Sequence, residues 1–259
     1  MQEAEGHFVD LNGETHTLEE VAAMLPPAEY PKEPVDFTFV KDPVRREAVV
    51  YKTRLALGLV CDFVKEVLFS KLTGRAEIDA KRNLGLPEEI EKTPTYKEIM
   101  LPIVADYALM MNVIDGETIV DRVIATDLEE HYSLGARYFK NYRYSWLYVE
   151  AVKGGVGCKC RNLMTGEEIF LSTIRKWGST PTKGKTICVG IAPAGSVYIL
   201  LGETGGAMFE SPEDELRKMR EDLGLPLEGP LVLSKADQAR FAAATIRELY
   251  RRFGLAAFN

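Results

Sequence analysis

Residues 156–172 read VGCKCRNLMTGEEIFLS. Val156, Cys158 and Cys160 alternate with Lys159 and Arg161, the period of two that sends successive strand side chains to opposite faces. Thr165-Gly166 is turn chemistry, after which Ile169 and Leu171 take up the apolar positions again. The unit is a strand, a turn and a strand, with one apolar and one basic face. Cys158 and Cys160 share the side of Val156, so they are predicted to be core residues, where cysteine behaves as a small hydrophobe. Lys159 and Arg161 are predicted to face outward.

The same alternation extends both ways. Leu147, Val149 and Ala151 form one face of a strand upstream; Ile187, Val189 and Ile191, then Val197, Ile199 and Leu201, form faces of two strands downstream. Pro193-Ala194-Gly195 turns between those two, Arg175 to Lys185 is a looser loop, and Ala207 to Glu210 is a candidate sixth strand. Tyr144 to Glu210 therefore reads as a small five- to six-stranded β-barrel, SH3-like or OB-like.

Helical periodicity dominates elsewhere. Residues 7–16 form a hairpin around Asn12-Gly13, and Thr17 with Glu20 makes a capping box for a short helix to Leu25. The proline-rich residues 26–43, PPAEYPKEPVDFTFVKDP, are an extended connector that shields a sheet edge, with Phe37 and Phe39 as anchors. Asp42 caps a long helix that Gly74 terminates. Residues 75–94 fit a short helix or loop. Core helices follow at Thr95–Asn112 and Glu117–His131, and a short one at Ser133–Asn141. Ser211 and Ser234 cap two C-terminal helices that stop at Gly224 and Gly254. The expected fold is α+β in three parts: an N-terminal hairpin and helical bundle (1–141), the barrel (142–210) and C-terminal helices (211–259).

Charge is uneven. Residues 1–130 hold 14 Lys/Arg against 26 Asp/Glu, whereas residues 131–185 hold 10 against Glu150, Glu167 and Glu168 alone. Such a basic segment either faces an anionic partner or docks on the chain's own acids, the surplus upstream being the nearest source. Within it, Arg137 to Tyr148 interleaves basic and aromatic residues, which is the chemistry of single-stranded nucleic-acid binding: cations neutralise phosphates and rings stack on bases. The candidate nucleic-acid-binding set is Arg137, Lys140, Arg143, Tyr144, Trp146, Lys159, Arg161, Arg175, Lys176, Lys183 and Lys185. The alternative use of the same rings is packing between the helices and the barrel.

Catalytic patterns are missing. The chain has no G-x-S-x-G, P-loop or H-E-x-x-H. Gly202-x-x-Gly205-Gly206 reads as a hairpin turn. His131 follows Asp127, Glu129 and Glu130 and reads as a cation at a helix C-terminus. A carboxylate–histidine metal site there, serving a metal-dependent hydrolase, is the least favoured alternative. No cofactor or metal is expected. The acidic start, MQEAEGHFVD, lacks a signal pattern, and four cysteines are too few for a disulfide scaffold, so a soluble cytoplasmic protein is expected.

The helix with LPIVADYALM, the turn Asp115-Gly116-Glu117-Thr118, IVDRVIAT and the barrel unit RNLMTGEEIFL stand in an order that resembles a group of uncharacterised bacterial proteins. Many of those carry a SEC-C zinc motif at one terminus. The resemblance covers about residues 96–202 and includes Lys183-Gly184-Lys185 before the next strand. The zinc motif needs a Cys-His or Cys-Cys pair about ten residues after Cys-x-Cys. Positions 169 and 170 here are Ile and Phe, so no zinc site is implied, and the group implies no established reaction. The sequence thus supports a non-enzymatic binding module, with nucleic acid as the first partner class and a protein-interaction or regulatory adaptor as the second; oligomeric state is left open.

Overall fold

The computed structural model describes residues 3–4, 7–9, 13–33, 35–72, 74–87, 96–173, 182–202, 206–207, 209 and 211–258. Its barrel is closed by one long strand that serves two neighbours. β4 (Arg143–Lys153) pairs antiparallel with β5 (Gly157–Asn162) through its second half and with β7 (Thr186–Ala194) through its first. β6 (Glu168–Ser172) pairs with β5, and β8 (Val197–Leu200) fills the gap between β6 and β7, parallel to the first and antiparallel to the second. The Greek-key order β4-β5-β6-β8-β7, closed by β4–β7, matches the OB-like alternative. β9 (Gly206–Ala207) adds a two-residue pairing to β7; residues 208 and 210 of the expected sixth strand lie outside the described residues.

Alternation decides what fills the barrel. Cys158, Cys160, Ile169, Leu171, Val189 and Ile191 are fully buried. A bulge between Val149 and Ala151 breaks the expected face of β4: Val149 is buried, but Ala151 turns to solvent and Val152 pairs with Cys158.

Before the barrel, β1 (Glu3–Ala4), β2 (His7–Val9) and β3 (Thr15–Thr17) form a small sheet, and the Thr17–Glu20 capping box starts α1 (Leu18–Met24). Asn12 of the expected turn lies outside the described residues. α2 (Pro43–Asp62) begins on Asp42, whose carboxylate accepts from Val44 and Arg45 N–H. It widens into a π-helical stretch at Phe63–Leu68 and ends with the short α3 (Phe69–Lys71). Gly74, expected as the terminator, is instead the first residue of α4 (Gly74–Leu84).

The second core helix is not regular either. π-helical turns at Tyr96–Met100 and Tyr107–Met111 flank α5 (Leu101–Asp106). Pro102 supplies a reason for the first, because its ring would clash with the carbonyl four residues back in a regular helix. The expected helix over Glu117–His131 is two helices. α6 (Ile119–Ile124) opens on a Thr118–Asp121 capping box, and α7 (Glu130–Ala136) starts afresh before a 3-10 turn at Arg137–Asn141. His131 therefore sits in the first turn of α7, the electropositive end, and not at a C-terminus as the sequence pattern suggested. α7 crosses α2 closely at Gly135, where a Cβ would stand 2.5 Å from the Leu59 carbonyl oxygen.

After the barrel, α8 (Pro212–Leu223) ends on Gly224 in the left-handed conformation, and α9 (Lys235–Phe253) starts on Ser234, which accepts from Asp237 N–H. Ser211 does not cap the backbone as expected; its hydroxyl donates to Asp214. One continuous hydrophobic core runs from Val21 to Ala257, through bundle, barrel and C-terminal helices. Among the described residues no helix is long and apolar enough to cross a membrane.

Candidate interaction surface of the barrel

Arg161 and Lys159 do face outward from β5, as alternation requires, but each is paired. Lys159 Nζ lies 3.0 Å from Glu168 and 3.2 Å from Glu150, 5.2 Å from the Phe37 ring centre. The hydrogen bonds it donates to Glu168 and then to Glu150 raise its pKa above the ordinary lysine value. Arg161 reaches Glu213 at the start of α8 at 3.1 Å and Glu150 at 3.8 Å, and its guanidinium lies over Tyr148. The acids come from the neighbouring strands and from α8. Among the described residues, the carboxylates that pair with Arg143, Lys159 and Arg161 are Glu150, Glu167, Glu168 and Glu213, none from the acidic upstream region.

The upstream chain contributes something else. Its proline-rich connector crosses the barrel and covers the outer face of β5 and β6. Phe39 packs edge-on against Phe170 at 5.1 Å and Phe37 lies 6.1 Å from the same ring, leaving Phe170 only 3% exposed although it points outward beside Lys159. The two anchors the sequence suggested are used, but they cover the outer face of two paired strands in a closed barrel and not a sheet edge.

Further up the connector, contacts change from rings to carbonyls. Arg137 and Tyr138 both donate to the Pro26 carbonyl, the latter at 3.1 Å. Gly195 N–H donates to the Pro27 carbonyl at 2.7 Å and Asn141 Nδ2 to the Ala28 carbonyl at 2.6 Å. Tyr30 returns a hydrogen bond to the Asn141 carbonyl. Arg143 stands between the rings of Tyr30 and Tyr198, at 4.9 and 5.3 Å, and donates to Glu167 at 2.6 Å. Tyr198 donates to the other oxygen of Glu167 at 2.7 Å. Burial pushes the Tyr30 and Tyr198 phenols above their ordinary pKa, so both stay neutral donors.

Tyr144 and Trp146, the expected base-stacking rings, are each 1% exposed. Trp146 stacks on Phe209 at 5.0 Å, packs against Phe241 and donates to Thr245 on α9 at 3.1 Å. Tyr144 packs edge-on against Phe241. Their faces are spent on joining the barrel to α9, so no base can stack on them in this conformation. Lys140 is exposed, at the rim of a cleft of about 30 Å³ lined by Thr118, Asp121, Lys235 and Gln238; that is room for a water or two. Lys235 there is ion-paired with Asp121. Lys183 is exposed and Lys185 half-buried, and neither has an ion pair among the described residues. Arg175 and Lys176 lie outside the described residues.

Reactive groups are turned inward. Cys158 and Cys160 thiols lie 3.5 Å apart, fully buried, and burial raises the pKa of the Cys188 thiol. His131 Nδ1 is 3.7 Å from Glu129 and its ring lies against Tyr132. At Gly202 an added Cβ would meet the Asp106 carboxylate at 3.3 Å, which is the wrong charge beside a phosphate cradle.

Tyr30, Asn141, Glu167, Gly195 and Tyr198 were missed by sequence reasoning. The signal available was the proline density of residues 26–34, which marks an extended segment that needs donors from elsewhere.

Fold and surface together define an α+β protein built on a closed five-stranded barrel whose outer face is covered by its own connector. Comparison with models of protein families, with curated proteins and with solved structures finds no match, so the resemblance to SEC-C-associated proteins rests on residues 96–202 alone.

Proposed function

We propose that this chain is a non-enzymatic protein-interaction adaptor. One observation carries that reading: the basic and aromatic residues of the barrel and its junction are engaged with a peptide segment and with carboxylates, which is protein-recognition chemistry. Cysteines in no disulfide among the described residues suit a reducing, cytoplasmic setting.

Nucleic acid is the second reading, on a narrower surface. Lys153, Lys183 and Lys185 carry no ion pair among the described residues and cluster around the second half of β4. Three phosphate contacts would give a salt slope of only about −2 for a single strand. The test titrates labelled single-stranded RNA and DNA at two salt concentrations. The adaptor reading expects no binding that responds to Lys153→Glu or Lys183→Glu. Binding that weakens with salt, and is lost in those variants, would overturn it.

A further inference from the structure

The connector is held in two different ways. Leu25, Val35 and Phe39 anchor it by burial, at 7%, 7% and 0% exposure. Between Leu25 and Val35, Pro27, Glu29, Tyr30, Lys32 and Glu33 are exposed, and the segment is held largely by hydrogen bonds to its backbone. Three successive carbonyls, of Pro26, Pro27 and Ala28, each accept from the rest of the molecule. Pro26 and Pro27 have no N–H, so each offers only its carbonyl to a backbone donor. Leu25, with φ −68° and ψ 136°, already has polyproline II geometry, which each residue before a proline favours. Two residues further on, the Tyr30 ring closes over Arg143 beside Tyr198.

From this geometry we infer that the groove formed by Arg137, Tyr138, Asn141, Arg143, Gly195 and Tyr198 is a receptor for an extended Pro-Pro-x-x-Tyr segment, occupied here in cis by residues 26–30 and open to a partner protein's segment of the same chemistry. The inference rests on the adaptor reading and names the partner's class. Donors set for consecutive proline carbonyls, a backbone N–H at a turn and a cation between two tyrosine rings are how extended proline-rich peptides are held. Gly195 is required for the close approach: a Cβ there would meet the Pro26 side chain at 3.1 Å, on a residue whose φ is +63°. The buried anchors on both sides limit the exchange to this short segment. Swapping the whole N-terminal arm with a second copy would have to strip Val21, Leu25, Val35 and Phe39 from the core.

A tethered segment competes at an effective concentration of the order of millimolar, so a free peptide reaches the groove only when the cis contact is weakened. The probe is a labelled synthetic peptide of residues 24–33, MLPPAEYPKE, added to the full-length protein. Tyr30→Ala removes a half-exposed ring, one hydrogen bond and one cation–π contact, and should tighten peptide binding about tenfold over the unaltered chain. Arg143→Ala in the same background should abolish it, and a scrambled peptide should not bind. The Gly195 amide gives a second readout: protected from hydrogen exchange in the unaltered chain, exposed in Tyr30→Ala and protected again by peptide. Should Tyr30→Ala fail to fold, Pro27→Ala loosens the segment through chain entropy and takes its place. A folded variant that binds no peptide, or binds it without protecting Gly195, overturns the inference. So does a variant that dimerises without peptide, which would make a second copy the occupant. Absence of both peptide and nucleic-acid binding removes this groove but leaves the adaptor reading; salt-sensitive RNA binding lost in Lys183→Glu removes both.

Discussion

Two basic stretches of this chain look alike as text and are used in opposite ways. Most of Arg137 to Trp146 lies inside the molecule, Arg137 on a backbone carbonyl, Arg143 between rings and Tyr138, Phe139, Tyr144 and Trp146 in the core, while Lys140 stays exposed. Lys159 and Arg161 lie outside, each shared among surface carboxylates. The difference teaches that interleaved cations and rings do not by themselves make a polyanion surface. What decides is whether the rings can leave the core. Buried rings bring large free energies and fixed geometry; exposed ion pairs bring little of either.

The widest gap between the two regions should appear in stability. Trp146→Ala removes the largest fully buried side chain and leaves Thr245 without its donor. A loss of about 4 kcal/mol is expected, read as a lower urea midpoint. A loss under about 1 kcal/mol, as at a typical surface site, would show that the indole is not the joint between barrel and α9. Arg143→Ala comes next. It strands Glu167 against Tyr198 and opens the Tyr30 contact, for an expected loss of about 2 kcal/mol. If Arg143→Lys restores most of that, charge matters more than the planar fit between two rings, and the junction resembles the outer face after all.

How much of this could be read beforehand follows from the range of each interaction. Strands β4 to β8, the cysteines in the barrel and the caps of α1, α2 and α9 depend on neighbours two to four residues away, and period and cap chemistry exposed them. The halving of the expected Glu117–His131 helix was less visible, because the apolar spacing from Ile119 runs on to Leu128, past the end of α6 at Ile124, and α7 starts at Glu130 with no side-chain cap to mark it. The partners of Arg137 and Asn141 lie 111 and 113 residues away and are carbonyls, which carry no side-chain identity to read. Arg143 could be paired with any of many acids by charge alone. Its actual partner, Glu167, is brought near only by closure of the barrel.

A third comparison lies on α9, where an exposed network is better organised than the β5 face. Arg252 is bidentate to Glu215, at 2.6 and 2.7 Å, and Glu248 holds Arg251 and Arg252 together. The Arg251 hydrogen bond, partly offset by desolvation, and then Arg252 bring the Glu248 pKa from 4.5 to about 2. A carboxyl depressed in the folded state stabilises above its unfolded pKa, and that stabilisation is lost as pH falls from 4.5 through 2. Glu248→Gln should therefore lower stability at pH 7 and flatten the acid limb of the stability profile between those values. An unchanged acid limb would place this network with the weak surface pairs.

The smallest effect is expected where the charge pattern drew attention first. Lys159 and Glu168 meet diagonally across β5 and β6, Lys159 standing opposite Phe170 and Glu168 opposite Arg161. The Lys159 side chain is 33% exposed and Glu168 54%, so water competes for both ends of the pair. A double-mutant cycle, Lys159→Ala with Glu168→Ala, should give a coupling of about 0.5 kcal/mol in dilute buffer. It should vanish near 1 M salt, where the Debye length is about 3 Å. A coupling above about 2 kcal/mol that survives salt would mean that the connector desolvates this face as fully as it does the junction. The two basic stretches would then differ in partner but not in kind, and Lys159 would belong with Arg143 as a residue that holds the connector down.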